Sequence, residues 1–339
     1  MSISAKELAQ KLNISAATVS MVLNRKPGIS EKTRNLVLDA AREYGYDFSK
    51  KWDTAEEKGS ILYVIYKKHG TVVADTPFFS QLTEGIEQAC KGKGFELQIT
   101  YFYENKDIGA QIQELSEKNC QGILLLGTEM DVEYFQPFTR LKVPMVVLDT
   151  YFEELDCDSV LINNVQGAYL ATNYLIDKGL GEIGYLRSSY PIGNFEERAD
   201  GYYKALRHHD LPTSHPYVHR LTPSMEGAYT DMSEILREKP PVAPAYFADN
   251  DLIAAGAMRA FKEFGYKIPE DISIVGFDDT PICDFLEPPL TTMEVPKKRL
   301  GELAVLRLLQ KIAGETKVMI KTEVSVRSIH NNNLAFLCR

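Results

Sequence analysis

Apolar residues near the start of the chain recur at helical spacing in three short runs, each opened by a serine. Ser4 and Glu7 have the spacing of a capping box, so a helix is predicted to begin there. Ser15 and Ser30 open a second and a third helix, and Gly45 ends the third. The positions predicted to face a shared core are Leu8, Ala9, Leu12, Val19, Val22, Leu23, Leu36, Val37, Ala40, Ala41 and Tyr44. Two short helices this close, followed by a third, predict a helix-turn-helix head.

From Ile61 onward the pattern changes to short apolar runs that alternate with amphipathic segments, which is typical of parallel α/β structure. The clearest strands are predicted at residues 61–66, 97–102, 122–126, 145–148, 183–186, 245–248 and 272–276, with helices such as 79–91 and 252–264 between them. Residues 47–59 are polar and poor in apolar positions, so we expect a linker there.

The net charge of −9 hides an uneven distribution, because the N-terminal segment is basic and the rest of the chain is acidic. Residues 1–52 hold nine Lys or Arg against five Asp or Glu and carry +4, whereas the rest of the chain carries −13. Because phosphate contacts supply much of the affinity of proteins for DNA, this distribution localises DNA binding to the head.

The length of the chain and its cysteines limit the classes of protein to which it can belong. A chain of 339 residues exceeds the usual size of one hydrophobic core, which predicts a small module plus a larger domain or two lobes. The sequence shows no signal-peptide pattern and no run of eighteen apolar residues, so we expect a cytoplasmic protein that is not inserted in a membrane. The five cysteines are far apart and form no C-x-x-C pair, which argues against disulfides and a structural zinc.

Signatures of catalysis are absent from the sequence. It has no G-x-G-x-x-G after a strand, no G-x-S-x-G and no Walker loop, so we expect no enzymatic activity and no cofactor. His208, His209, His215 and His219 lie near prolines without fixed ligand spacing. A solvated loop is therefore the favoured interpretation, rather than a metal site.

Motifs along almost the whole chain resemble the lactose-repressor (LacI/GalR) family. In the head they are Ile14-Ser15-Ala16-Ala17-Thr18-Val19-Ser20-Met21-Val22-Leu23-Asn24 and Ile29-Ser30-Glu31-Lys32-Thr33-Arg34. The family's ligand-domain motifs follow in the same order: Pro77-Phe78-Phe79, Gln121-Gly122-Ile123-Leu124-Leu125, Arg198-Ala199-Asp200-Gly201-Tyr202, Ala248-Asp249-Asn250-Asp251, Pro269-Glu270-Asp271-Ile272-Ser273-Ile274-Val275-Gly276-Phe277-Asp278-Asp279, Pro288-Pro289-Leu290-Thr291-Thr292 and Val326-Arg327-Ser328. One motif alone would be a weak signal, but the shared order makes the resemblance specific.

The resemblance implies an N-terminal all-α helix-turn-helix head and an α/β periplasmic-binding-protein-like (type 1) ligand domain of two Rossmann-like lobes. The implied boundaries are 1–46 for the head, 47–59 for an atypical hinge or linker, and 60–339 for the effector-binding and dimerisation domain. Lobe one would comprise about 60–162 and 294–323, and lobe two about 163–293 and 324–339. The effector would lie in the cleft, beyond the carboxyl ends of the strands, where open parallel sheets bind ligands.

The function implied is that of a sequence-specific transcription regulator, most simply a repressor. Its expected partners are operator double-stranded DNA and a small-molecule effector, a sugar or sugar derivative. A homodimer is expected because one helix-turn-helix reads only a half-site, and two-fold operators require two heads. An exported sugar-binding protein would lack the head, and a Rossmann-like enzyme would need catalytic motifs. The sequence does not distinguish an inducer from a corepressor.

Most residues predicted to contact DNA lie at the start of the second helix, which faces base edges in the major groove. Ala16, Ala17 and Met21 carry no hydrogen-bonding side chain, so they could specify bases only by apolar contact, chiefly with thymine methyls. Many relatives have Arg or His at the position of Met21, and this residue could instead simply stabilise the helix. The full predicted set is Ser4, Ser15, Ala16, Ala17, Thr18, Ser20, Met21, Asn24, Thr33, Lys50, Trp52 and Ala55.

The linker departs from the family's hinge, which folds on DNA, inserts a leucine into the minor groove and kinks the operator. Ala55 stands where that leucine belongs and is a poor wedge, while Asp53, Glu56 and Glu57 would be repelled by phosphates. Trp52 either replaces the wedge or packs on the ligand domain. The sequence therefore predicts less bending of the operator than relatives with the leucine hinge produce.

Six residues are predicted to bind the effector: Phe79, Asp149, Asn194, Arg198, Asn250 and Asp278. Asp278 follows a strand, where a carboxylate can accept hydrogen bonds from sugar hydroxyls, or it caps the next helix, a role better suited to Asp279. Arg198 matches a family position in the cleft, with a surface ion pair as the alternative. Of Asn250 and Asp251, one is expected to bind the ligand and the other to cap a helix. Phe79 either stacks on a sugar face or packs in the core.

Overall fold

The structure is a computed structural model that describes residues 3–23, 28–46, 58–68, 70, 72–73, 77–214, 216–315 and 318–329. Internal contacts divide the chain into two compact units, Met1–Lys58 and Gly59–Arg339. Within the described residues, no helix combines the length and the apolar character that crossing a membrane requires.

The described residues of the first unit form the helices α1 (Ala5–Lys11), α2 (Ala16–Leu23) and α3 (Glu31–Glu43). The predicted capping box at Ser4 is present with both of its hydrogen bonds, and Ser30 caps α3 by accepting from the amide of Thr33. The buried core of this unit is formed by Leu8, Ala9, Val19, Val22, Leu23, Val37, Ala40 and Ala41. The three helices pack as the sequence predicts.

Two residues of the apolar stripe predicted for α3 do not belong to this core. Leu36 is 51% exposed and Tyr44 is 39% exposed. Leu36 precedes the buried Val37 by one position, which rotates its side chain about 100° around the helix and away from the core. Tyr44 follows the last turn, and the amine of Lys11 lies 4.3 Å from the centre of its ring. The prediction was wrong at both positions.

The second unit alternates strands and helices. Its helices are α4 (Pro77–Lys93), α5 (Ile108–Glu117), α6 (Val132–Phe135), α7 (Asn164–Asp177), α8 (Gly193–His208), α9 (Met225–Arg237), α10 (Asp251–Glu263) and α11 (Lys297–Ile312), with 3₁₀ helices at Gln136–Arg140 and Pro281–Phe285. Its strands are β1 (Ser60–Lys67), β2 (Glu96–Tyr103), β3 (Gly122–Leu126), β4 (Met145–Leu148), β5 (Ser159–Ile162), β6 (Ile183–Ser188), β7 (Val218–Leu221), β8 (Ala245–Ala248), β9 (Ser273–Val275), β10 (Thr292–Glu294), β11 (Lys321–Val324) and β12 (Arg327–Ile329).

These strands form two parallel sheets and one antiparallel pair. The six-stranded sheet has the order β11-β5-β4-β3-β1-β2, and we call it and the helices packed on it lobe one. The four-stranded sheet has the order β7-β6-β8-β9 and, with its helices, is lobe two. All the predicted strands are present, and β5, β7, β10, β11 and β12 were not predicted. Parallel sheets covered by helices on both faces explain the continuous apolar runs in the sequence.

The chain crosses between the lobes three times. It leaves lobe one after β5, returns through β10 to α11, which packs on β3, β4 and β5, and leaves again after β11. Strands β10 and β12 pair antiparallel with each other, apart from both parallel sheets. Any change in the relative orientation of the two lobes must therefore change the backbone conformation of these three segments.

Helices α4 and α11 of lobe one approach each other closely at two glycines. A methyl group at Gly85 would lie 2.2 Å from the carbonyl oxygen of Lys298, and one at Gly301 would lie 2.6 Å from the carbonyl oxygen of Leu82. Larger residues at these positions would separate the helices. Because their backbones are in contact, the N-terminal half of α11 and the middle of α4 form one rigid unit.

Candidate functional site

A cavity lies between the two lobes, and all six residues predicted to bind an effector line it. The structure thus brings together Phe79, Asp149, Asn194, Arg198, Asn250 and Asp278. Sequence reasoning missed six further lining residues, namely Val72, Phe78, Thr128, Ile162, Ile192 and Phe195.

The polar residues of the cavity reach it from the carboxyl ends of parallel strands. Asp149 directly follows β4, and Thr128 stands two residues beyond β3, both in lobe one. From lobe two, Asn250 follows β8 and Asp278 follows β9. This is the edge of an open parallel sheet at which ligands bind, because the loops there project polar groups into one space.

Arg198, on α8, has a guanidinium that is 4% exposed and held by three protein groups. Its Nε donates to Oδ1 of Asn164 (2.9 Å), its Nη1 to the carbonyl of Asp249 (2.5 Å) and its Nη2 to Oδ1 of Asp278 (3.1 Å). Its Cζ also lies 3.8 Å from the centre of the Phe277 ring. The surface ion pair that was the alternative interpretation is wrong, because this arginine is buried in the cavity wall.

Asn164, which sequence reasoning did not select, connects this arginine to the rest of the site. It is 1% exposed and is the first residue of α7, where the chain crosses from lobe one to lobe two. Its amide nitrogen donates to Oδ1 of Asn194 (3.1 Å) and to Oε2 of Glu197 (2.9 Å), while its oxygen accepts from Arg198. A buried amide with all these partners orients two cavity residues at once.

Asp149 presents an unused acceptor to the cavity. Its backbone is left-handed, with φ of 62°, and Oδ2 accepts from the hydroxyl of Thr128 at 2.7 Å. Within the described part of the chain, its buried Oδ1 has no hydrogen-bond partner. Burial raises the pKa of this carboxyl to about 6, and the Thr128 hydrogen bond opposes the rise. A buried acceptor without a partner is costly, and a ligand hydroxyl would relieve that cost.

Asp278 is the second carboxylate of the cavity and pairs with Arg198. It is 6% exposed and has φ of 106°, a backbone conformation uncommon for a residue with a side chain. Burial raises the pKa of its carboxyl, and the positive charges of Arg198 and Lys297 oppose that rise. Its backbone conformation aims the carboxylate into the cavity wall, which fits a residue held in place for binding.

The two candidate helix caps near the cavity are resolved differently from the prediction. Asn250 caps α10 by accepting from the amide of Ile253, and it also lines the cavity. The sequence predicted that these two roles would be divided between Asn250 and Asp251. Asp251 is fully buried, accepts from Thr280 and Thr292, and is not among the lining residues. The cap position of the next 3₁₀ helix is Thr280, so the prediction that Asp279 caps it was wrong.

The cavity wall includes a pair of aromatic rings and a segment that is held by a buried glutamate. The rings of Phe78 and Phe79 stand edge to face, 5.0 Å apart at the start of α4, and Phe79 is 9% exposed. Glu129 accepts from the backbone amides of Lys68, Gly70 and Val72 at 3.0, 3.1 and 3.2 Å. These hydrogen bonds fix the segment that carries Val72 into the cavity.

In the head, the residues predicted to contact DNA at and directly before α2 differ in exposure. Ser15, Ala16 and Ala17 are exposed, while Thr18, Ser20 and Met21 are partly buried. The Ser15 hydroxyl accepts from the amide of Thr18 at 3.0 Å and lies 2.8 Å from the Thr18 hydroxyl. Ser4 and Thr33, at the first turns of α1 and α3, are exposed and partly buried, respectively. Four residues of the predicted set lie outside the described residues: Asn24, Lys50, Trp52 and Ala55.

The prediction of a solvated loop was wrong at His219, which is buried in strand β7, and His208 is the last residue of helix α8 rather than part of a loop. The rings of His208 and His209 are 5.1 Å apart, and Nε2 of His209 lies 3.0 Å from Oδ1 of Asn173. His219 is buried beside Tyr246, and His215 lies outside the described residues. In the part of the chain that the structure covers, no group of three or more His, Cys, Asp or Glu side chains is arranged to hold a metal ion.

Comparison with known proteins matches two segments of the chain. Residues 4–48 match the family described as bacterial regulatory proteins, lacI family, and residues 172–330 match a periplasmic binding protein-like domain. The HTH-type transcriptional repressor CytR of Escherichia coli (strain K12) is 32% identical over 313 residues, covering 91% of this chain and 90% of the relative. The ribose operon repressor of Haemophilus influenzae is 32% identical over 315 residues, covering 91% of each.

Among solved structures, a LacI family transcriptional regulator from Enterococcus faecium with bound ribose superposes with a TM-score of 0.70. It is 26% identical and covers 81% of this chain and 99% of that one. A superposition of this extent shows that the two proteins share a fold.

Proposed function

The chain belongs to the lacI family of bacterial regulatory proteins, and from that premise we propose that it is a repressor whose binding to operator DNA is controlled by a neutral sugar. The observation that carries the proposal is the set of polar groups around one cavity. Asp149 and Asp278 supply carboxylates, Asn194 and Asn250 supply amides, and Arg198 supplies a guanidinium. Such groups bind hydroxyls directionally, as recognition of a polyhydroxylated molecule requires.

The charges of the site favour a neutral effector over a phosphorylated one. Three of the five N–H donors of Arg198 already bind protein groups, one of them the carboxylate of Asp278. Asp149 adds a second carboxylate without a cation paired to it in the cavity wall described here. A phosphate would bring further negative charge beside these carboxylates, which costs free energy at short range. Phe79 offers an aromatic face for the apolar side of a sugar ring.

Two related proteins support a pentose as the first effector to test. One is named a ribose operon repressor, and the other holds ribose in its solved structure. We therefore take ribose as the first probe for this cavity, followed by other neutral sugars.

The proposal includes a homodimer. One helix-turn-helix reads a half-site, so recognition of a two-fold operator requires two copies of the head. Strand β2 lies at the edge of the six-stranded sheet and exposes Ile99 (48%) and Tyr101 (50%), while Phe285 is 86% exposed. Apolar edge strands are usually covered in native proteins, and a second copy would cover this one. In this proposal the protein acts in the cytoplasm and catalyses no reaction.

A thermal-shift titration and an operator-binding assay test the proposal together. Ribose at 100 times its dissociation constant should stabilise the folded chain by about 2.7 kcal/mol and change operator affinity. Arg198→Ala and Asp278→Ala should each abolish both effects of ribose while leaving operator affinity without ribose nearly intact, because each removes a buried hydrogen-bonding group.

Exposed residues of the same types serve as controls. Arg259→Ala on α10 and Asp284→Ala in the 3₁₀ helix should behave as the wild type. Unchanged ribose affinity in both cavity variants would reject the assignment of the site. A strictly monomeric mass at micromolar concentration, with and without operator, would reject the dimer. Operator DNA that is not retarded at any salt concentration would reject the regulator itself.

A further inference from the structure

Lys297 is a buried lysine that reaches from lobe one to the loop that carries Asp278 in lobe two. It is the first residue of α11 and is 4% exposed. Its Nζ donates to the backbone carbonyls of Asp278 (2.6 Å) and Asp279 (2.9 Å). Lys297 does not line the cavity, yet it binds the backbone of a residue that does.

Burial of an ammonium group is costly unless its charge and its donors are used. Two carbonyls accept two of the three N–H donors of Lys297, and its positive charge lowers the pKa of Asp278 and Asp279 against the effect of burial. The ring of Phe78 lies 6.0 Å from the amine. The lysine therefore holds two consecutive residues of left-handed backbone, with φ of 106° and 54°, in a conformation that side chains rarely adopt.

The other end of the connection is rigid. The backbone of Lys298 is in contact with Gly85 of α4, and Gly301 of α11 is in contact with Leu82. Helix α4 in turn carries Phe79 into the cavity. A continuous path of buried contacts thus joins the carboxylate of the cavity in lobe two to its aromatic wall in lobe one.

We propose that Lys297 is a positioning residue that fixes the loop of Asp278 to helix α11, so that an effector bound to Asp278 sets the orientation of the two lobes. The inference rests on the proposed function, since it concerns how that site controls operator binding. It assigns to Lys297 no contact with the effector itself. The coupling between two sites is carried by an element that both can bias, and here that element is the crossover from β10 to α11.

The test compares Lys297→Met with Lys298→Met, its neighbour in sequence, which makes the same change at a half-exposed position paired with Glu84. The measured quantity is the ratio of operator affinities with and without saturating ribose. Lys297→Met should reduce the effect of ribose at least fivefold, and Lys298→Met should match the wild type. Lys297→Arg keeps the charge and the donors and should retain most of the effect. Equal loss in the Arg and Met variants would show a packing role only and would overturn the proposal.

A second readout does not depend on ribose. Hydrogen exchange measured on the unliganded full chain reports the amides of Asp278 and Asp279, which donate to the carbonyl of Met293 and the hydroxyl of Thr292. Exchange there should be at least tenfold faster in Lys297→Met, or in Lys297→Ala if the first variant does not fold, and close to the wild type in Lys297→Arg. Unchanged exchange would overturn the inference about Lys297. A wild type that ignores ribose, with exchange altered as expected, would instead count against the proposed effector.

Discussion

The side-chain oxygen of Asn164, at the first crossover between the lobes, accepts a hydrogen bond of 2.9 Å from Nε of Arg198 inside the cavity. The amide of the same residue donates to Asn194, which also lines the cavity. Arg198 is therefore hydrogen-bonded directly to a residue of the segment that connects the two lobes. Together with Lys297 at the second crossover, this places a buried polar side chain at two of the three connections.

Replacement of Asn164 by leucine should weaken effector binding at least tenfold. The variant keeps the branched shape but leaves Nε of Arg198 and Oδ1 of Asn194 without their buried partner, and an unsatisfied buried group costs about 1–3 kcal/mol. Isothermal titration with ribose measures the affinity, and thermal denaturation measures the accompanying loss of stability. Asn173→Leu, farther along the same helix and in contact with His209, is the control and should keep the wild-type affinity. Equal affinities in the two variants would show that Arg198 needs no support from the crossover.

Effector affinity should fall below pH 6. Burial raises the pKa of Asp149 to about 6, and only the ionised carboxylate accepts hydrogen bonds with both oxygens. At pH 5 the affinity for ribose should be about tenfold lower than at pH 7, since one pH unit below the pKa leaves about a tenth of the carboxyl ionised. Asp149→Asn should bind weakly and lack this dependence. A wild-type affinity that is flat from pH 5 to 7 would show that the protonated carboxyl binds equally well.

The raised pKa of Asp149 should make the unliganded fold less stable as pH rises, whereas it makes effector binding stronger. The folded chain retains the proton of Asp149 at a pH where the unfolded chain has lost it, so stability decreases as pH rises from about 4 to about 6. Asp249 and Asp251, whose pKa values burial raises to about 7, extend this decrease to about pH 7. Chemical denaturation across this range measures the slope, which should be smaller in Asp149→Asn. Addition of ribose should reduce it too, because binding selects the ionised form.

Met21 should contribute to operator affinity without contributing to its salt dependence. Met21→Ala removes apolar contact from α2 and should lower operator affinity about five- to tenfold, on the scale of about 1 kcal/mol for a partly buried side chain. The slope of affinity against salt concentration should remain as in the wild type, because no charge is removed. Leu36→Ala, an exposed apolar residue on α3, is the control. A role confined to helix stability would leave affinity unchanged once both variants are shown to be folded.

The linker should bend the operator less than a leucine hinge does. The residues concerned, Trp52 and Ala55, lie outside the described residues, so this prediction rests on the sequence. Alanine cannot unstack a base step, and only wedge contacts compensate the cost of a kink, which is a few kcal/mol. Fluorescence energy transfer across labelled operator DNA measures the bend. Ala55→Leu should keep or raise affinity, and Trp52→Ala should change the bend little. A sharp kink that Trp52→Ala removes would make the tryptophan the wedge.

Sequence reasoning reached the residues that follow recognisable motifs. The strands β1, β3 and β8 are continuous apolar runs, and the polar residues directly after such strands had to lie at one edge of a sheet. For that reason Asn250 and Asp278, which follow β8 and β9, could be proposed for one site from the sequence. That they bind an effector stays a prediction.

The residues that sequence reasoning missed owe their positions to tertiary contacts. Asn164 and Lys297 look like the first residues of ordinary helices, and only the packing of two lobes brings them to Arg198 and Asp278. Thr128 lies two residues beyond its strand in a loop whose shape the sequence does not specify. Leu36 was predicted to lie in the core because it is apolar and adjacent to Val37, so the apolar pattern of the sequence fits either residue. In the structure only Val37 faces the core.

The contacts that hold Arg198 in place reduce the entropy that effector binding must cost. Three hydrogen bonds and the contact with the Phe277 ring immobilise this long side chain when the chain folds, before any effector binds. The loss of rotamer freedom, about 0.5–1.5 kcal/mol for such a side chain, is therefore assigned to folding and not to binding. A small molecule that can make only a few contacts then meets a site that is already ordered. It can be held with a selectivity that a mobile arginine could not provide.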